Sequence, residues 1–212
     1  MMGTSTKSGN SRSAIGRPRN PVIDQAILRV ALELFIEQGI VGASIERIAK
    51  RAGVAKTSVY RRWSSREALL AQAIEVARNA TGYTVDLVER TPPQDFVKLL
   101  IEACEVVGRP EIRKLMTRLI GSIPDYPKLI EVYRETYYLP RRQAFGRALE
   151  RVQAAGLLAK NIDLDALADM IIGAVMYRLL MSSPGDNPAG ELRDHMIGLL
   201  RQAGFDVTAV SQ

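Results

Sequence analysis

A chain of 212 residues, 47% of them hydrophobic, is long enough to bury a substantial core in one or two domains. Its net charge of +6 is unevenly placed. Residues 1–80 hold 13 Lys and Arg against 6 Asp and Glu, the remainder 16 against 17, so the N-terminal part is the one suited to a polyanion. A single cysteine, Cys104, excludes an internal disulfide and a Cys-based zinc site, while the absence of a long apolar run or signal-peptide core points to the cytoplasm and away from a membrane.

Residues 1–19 are expected to be a disordered basic arm carrying Arg12, Arg17 and Arg19, lying in a minor groove or touching nothing. Asn20 as cap and Pro21 as first residue open a helix with Ile23, Ala26, Ile27, Val30, Leu34 and Phe35 on one face, stopped by Gly39. Ser44 opens a second helix that turns Ile45, Ile48 and Ala49 inward. Gly53 stands where a tight turn needs positive φ. Val54 and, in the third helix at about 55–62, Val59 can face a core while Lys56, Thr57, Ser58, Tyr60, Arg61 and Arg62 face out. Small polar groups that reach base edges, flanked by cations that hold phosphates, are the chemistry of a helix-turn-helix reader. A solvated basic helix over a small core would account for the charge but not for the turn and spacing as well. Trp63 reads as an aromatic lid, with a direct DNA contact as the alternative, and Ser64 with Glu67 as a capping box for a fourth helix reaching about 80.

A loop with Gly82 and Thr91-Pro92-Pro93 follows, then helices at about 94–108 and, begun by Pro110, to about 122. The next predicted helix, 127–155, contains Pro140 and should kink there. Asp163 caps an eighth helix to about 182, residues 183–188 form a loop, and a ninth helix ends at Gly204. With no strand pattern the fold class is all-α, divided into the arm, a DNA-binding unit over 20–63 and a helical regulatory unit over 64–212, with 64–80 as the connection. Leu164, Leu167, Ile171, Ile172, Val175 and Leu179, then Leu192, Met196 and Leu199, form apolar stripes suited to half of a four-helix bundle, hence to a homodimer interface. An entirely internal core is the alternative. No catalytic constellation, metal site or cofactor motif is found; His195, the only histidine, reads as structural, and Cys104 as a small buried filler. Without clustered acids or ligands, a helical-bundle enzyme has little support.

The run Gly53-Val54-Ala55-Lys56-Thr57-Ser58-Val59-Tyr60, then Trp63, then Ser65-Arg66-Glu67-Ala68-Leu69-Leu70, closely resembles the TetR/AcrR family of transcriptional regulators. There a similar run forms the turn, the recognition helix and the start of a connecting helix. The close match covers residues 16 to about 75. Ala55 departs from the family's usual Ser cap, at a cost of about 0.5–2 kcal/mol of local helix stability. Trp63 replaces Phe and Arg66 replaces Lys, which keeps the chemistry. The resemblance implies a homodimer on a pseudo-palindromic double-stranded DNA operator, most simply a repressor released by a small-molecule effector. Lys56, Thr57, Ser58 and Tyr60 are then candidates for base contacts, and Ser44, Lys50, Arg61, Arg62 and Arg66 for phosphates. Phe96, Cys104, Met116, Tyr133, Tyr137, Phe145 and Tyr177 are candidates for the effector pocket. A DNA-binding architectural protein without sequence preference shares the basic half and remains the alternative.

Overall fold

The computed structural model describes residues 21–181 and 188–210. The expected arm, the Asn20 cap and most of the 183–188 loop lie outside them. Among the described residues the chain is helical throughout, with no strand, as the pattern predicts. None of the described helices is long and apolar enough to cross a membrane.

α1 (Pro21–Gly42) breaks at Gly39, whose φ of 69° is the left-handed geometry expected of a stop. Ser44 caps α2 (Ile45–Arg51), its Oγ accepting from Arg47 N at 3.3 Å. Gly53 makes the turn with φ 67°. α3 (Lys56–Tyr60) has only five helical residues, and Ala55 supplies no side-chain cap. A helix this short has no stability of its own, so α3 must be held by what Val59 and Trp63 bury. α4 (Arg66–Asn79) is capped by Ser65, whose Oγ accepts from Ala68 N at 3.0 Å. The expected Ser64–Glu67 box does not form: Ser65 is the cap, and Glu67 turns its carboxylate to Arg66 instead.

Three features depart from the sequence reading. Part of the expected loop after Gly82 is a helix, α5 (Val85–Arg90), capped by Thr84. Of its six residues only Val88 is buried, so no periodicity announces it. After α6 (Phe96–Val107) and α7 (Pro110–Gly121), the long element is three pieces: α8 (Pro127–Tyr133), a π turn (Arg134–Tyr138) and α9 (Leu139–Ala154). Leu139 N–H donates to Arg134 O, five residues back, which shifts the hydrogen-bond register just before Pro140, the residue with no N–H to give. The proline thus falls just after the π turn, in the first turn of α9. Lastly, beyond α10 (Leu164–Met181), capped by Asp163, and α11 (Pro188–Gln202), the chain turns at Gly204 and buries Phe205 and Val207.

The buried side chains form two cores. One joins α1–α4 to Ile112, Leu115, Met116 and Leu119 of α7 and Leu129 of α8. The other joins Val88 to α6, α9, α10, α11 and the C-terminal Phe205 and Val207. The first core thus crosses residue 64, uniting the reader with two helices of the regulatory part. Arg118 of α7 adds a polar clasp, its guanidinium donating to the Ile36 and Glu37 carbonyls near the end of α1 at 3.1 and 3.3 Å.

Candidate DNA-reading surface and regulatory cavity

Val59 is fully buried, and this turns the opposite side of α3 to solvent. Lys56, Thr57, Tyr60 and Arg61 are exposed there and Ser58 is half-buried. Lys56 pairs with Glu46 of α2 and lies 5.7 Å from the centroid of the Tyr60 ring. The hydrogen bond between them raises the lysine's pKa and lowers the glutamate's. Lys50 is exposed on α2, Ser44 sits at its start, and neither Lys50 nor Arg61 has an ion-pair partner among the described residues. Two predicted phosphate ligands are placed differently. Arg62 donates to Asp24 of α1 and, at 2.9 Å, to Ser58 O. Arg66 donates to Ile40 O at 3.3 Å and to Glu67 at 3.1 Å, and lies over the Tyr126 ring. Both guanidiniums cross-link the domain. Trp63 is a buried lid, 6% exposed, with Nε1 donating to Gln72 Oε1 at 2.6 Å, which leaves it no face for DNA.

A cavity of about 290 Å³ lies between α4, α6, α7, the α8–α9 segment and α10–α11. Cys104, Met116, Tyr133, Tyr137 and Phe145, candidates for the effector pocket, line it. Phe96 does not; it sits behind the wall, 5.5 Å from the Phe145 ring and 6.4 Å from that of Phe205. Tyr177 points the other way, 62% exposed. Other polar residues of the lining, Arg78, Tyr83, Arg141 and Arg142 among them, went unrecognised in the sequence. Arg78 Nε donates to the Tyr137 hydroxyl at 2.6 Å, and the Arg141 guanidinium lies 3.5 Å from the centroid of the same ring. Tyr133 stacks on Tyr137 at 5.0 Å. Burial pushes the Tyr83 hydroxyl up to about 12 and raises that of Tyr133, so both remain proton donors. Burial also lifts the Cys104 thiol to about 12, its Sγ–H directed at Leu100 O; an inert filler fits this better than a redox sensor. No local pattern marks Arg78 or Arg141, which in a helical sequence read as surface charges.

The last two helices also divide their side chains differently than expected. Leu167, Ile171, Leu179, Leu192 and Met196, predicted for the dimer interface, are buried within this chain. Ile172 and Val175 line the cavity, and Leu164 and Leu199 pack on the second core. The apolar stripe that remains outside is Met170, Tyr177 and Met181, 60%, 62% and 67% exposed, with Gly173 in line between the first two. α10 is apolar nearly all round, and periodicity cannot say which arc faces in.

Two family models match this chain. One, bacterial regulatory proteins of the tetR family, covers residues 27–73, and the other, a tetracyclin repressor-like C-terminal domain, covers residues 91–202. An uncharacterized HTH-type transcriptional regulator of Bacillus subtilis strain 168, YdeS, is 30% identical over 171 residues, 81% of this chain and 85% of that protein. The DNA-binding transcriptional repressor TetR of Mycobacteroides abscessus is 24% identical over 189 residues, 84% and 94% of the two chains. Among solved structures, Salmonella enterica GusR superposes with a TM-score of 0.68 at 23% identity, over 85% of this chain and 96% of that one. With a matched reader, a matched regulatory domain and the shared fold, this chain belongs to the TetR family of sequence-specific, ligand-responsive transcriptional regulators.

Proposed function

We propose that this protein represses transcription as a homodimer, each copy laying α3 in the major groove of one half of a pseudo-palindromic operator, and that a small molecule in the cavity releases it. One observation carries the coupling. Met116 and Leu119 belong to the core that holds the reader and also to the cavity wall. A ligand that displaces these side chains disturbs the seat of α1–α4, because a close-packed core passes strain on. α4 adds a rigid element, starting at the Ser65 cap beside the reader and ending at Arg78 and Asn79 beside the cavity. The ligand need only favour the released arrangement by about 1–3 kcal/mol, and operator must then weaken ligand binding by the same factor. A cavity against the reader's core has no place in a purely architectural protein.

For the reading surface, Lys56, Thr57, Ser58 and Tyr60 stand toward base edges and Ser44, Lys50 and Arg61 toward phosphates. Arg62 and Arg66 serve the domain's own packing. The test begins with sites selected from randomised duplex DNA. Thr57→Ala and Tyr60→Ala should relax preference at particular positions. Lys50→Ala and Arg61→Ala should weaken binding to every sequence and each lower the salt slope by roughly one. Arg62→Ala should instead lower thermal stability, since Asp24 and the Ser58 carbonyl lose their donor. Unchanged salt slopes for Lys50→Ala and Arg61→Ala would overturn this placement, and failure to select any site above bulk DNA would overturn the operator reading.

A further inference from the structure

The cavity's lining is apolar apart from a few polar groups, and none of those is acidic. The titratable side chains on it are arginines, tyrosines and Cys104, with no Asp or Glu. Of the arginines, Arg142 is neutralised outside, by Asp165 and Asp169 of α10 at 2.9 and 3.1 Å. Arg78 and Arg141 have no carboxylate at ion-pair distance among the described residues. Their partners are neutral: the Tyr137 hydroxyl and ring, the Tyr137 carbonyl and the Asn79 side chain. Arg141 Nε is buried with no hydrogen-bond partner. Burial first, and then the Arg78 charge, lower the pKa of Arg141 by more than Tyr137, Tyr133 and Glu75 raise it, so its positive charge is held here at a cost. An anion would relieve that cost at Arg141 and pair with Arg78, and the Tyr83 and Tyr133 hydroxyls, kept protonated by burial, would donate to it rather than repel it.

We propose that the effector is an amphipathic anion, a carboxylate or similar oxyanion on a compact apolar body, with its charged end between Arg78 and Arg141 and its body against Met116, Leu119 and Phe145. This deepens the reading of the cavity as the effector site and rests on it. The volume, about 290 Å³, lies close to the lower end of the roughly 300–1,000 Å³ typical of small-molecule sites, so the body is small. The placement also gives the charge a task. Arg78 is in the last turn of α4 and Arg141 is on α9, so an anion bridging them draws on the helix whose other end follows the reader.

The test is calorimetric titration of the full-length protein with probes that share a body and differ in the head: decanoate, decanamide and decylamine, and naphthoate with naphthamide. The carboxylates should bind on the order of tenfold or more tightly than the amides, and the amine least well. Arg78→Gln and Arg141→Gln should each bring carboxylate affinity down to the amide level while amide affinity stays unchanged, which also reports an intact cavity. Arg141→Lys should keep part of the preference. Amides that bind as well as carboxylates and release operator would overturn the anion site yet leave the effector cavity standing. Parallel loss of carboxylate and amide binding in the Arg variants would show a merely structural role for the arginines and overturn the proposal. If no probe of either skeleton binds, the effector reading of the cavity falls and the anion site with it.

Discussion

Tyr177→Glu, alone or with Met170→Glu, should yield a folded monomer that no longer holds its operator. Both side chains are more than half exposed in the single chain, so the substitutions barely touch its core. In a two-fold dimer packed through α10 each position occurs twice in the interface, and each would bury a carboxylate with no partner, at a cost of several kcal/mol per charge. Losing the second reader removes the effective concentration that links two half-sites, worth a factor of about 10²–10⁴ in affinity. Sedimentation should show a monomer with an unchanged circular dichroism spectrum, and operator binding should weaken by that factor. Ile171→Glu, by contrast, should unfold the chain, since that side chain is 3% exposed inside the second core. If the Tyr177→Glu, Met170→Glu double variant sediments as a dimer at micromolar concentration, the outer stripe of α10 is not the interface.

Trp63→Ala should destabilise the protein by about 3–5 kcal/mol, the usual cost of emptying a buried aromatic site. The effect should be large on DNA binding too, because α3 has no side-chain cap and only five helical residues, so its orientation depends on Val59 and Trp63. Trp63→Phe should cost only about 1 kcal/mol. It keeps most of the apolar body and gives up the bond from Nε1 to Gln72, an exposed residue that water can satisfy. Urea denaturation separates the cases: the midpoint should fall strongly for Ala and slightly for Phe with similar slopes. A Trp63→Ala protein with the parental midpoint would show that the lid does not hold the reader.

The reading unit was legible because its physics is local. Ser44 caps the residue three positions on, Gly53 adopts the φ its turn requires, and Val59 faces inward one helical turn before the buried Trp63. Each depends on neighbours within one or two turns, and their agreement is what makes the motif recognisable. Caps and stops farther on follow the same rule: Asp163 caps α10, and Gly156 and Gly204 end helices with positive φ. Where two candidates compete locally, as Ser64 and Ser65 do, the cap is Ser65, whose Oγ accepts from Ala68 N.

Local patterns could not assign long-range partners. Arg61 and Arg62 are adjacent and chemically identical, yet one is free at the surface and the other is tied to Asp24, 38 residues away. Tyr137 and Tyr177 looked equally suited to a pocket; one is 3% exposed beside Arg78 and Arg141, the other 62% exposed on the outside of α10. α10 shows the reason most plainly. Its composition makes it a buried helix, but an apolar side chain gains by leaving water in any direction, so the hydrophobic effect sets how much of the helix is covered and not by what. Which arc meets the chain's own core, which meets the cavity and which stays outside is settled when α7, α9 and α11 pack around it. Thus local periodicity and turn chemistry were enough for the all-α class, the helix-turn-helix and its outward side chains. The arginine-lined cavity, the core shared between reader and regulatory helices, and the outer stripe of α10 depend on residues far apart in sequence meeting in space.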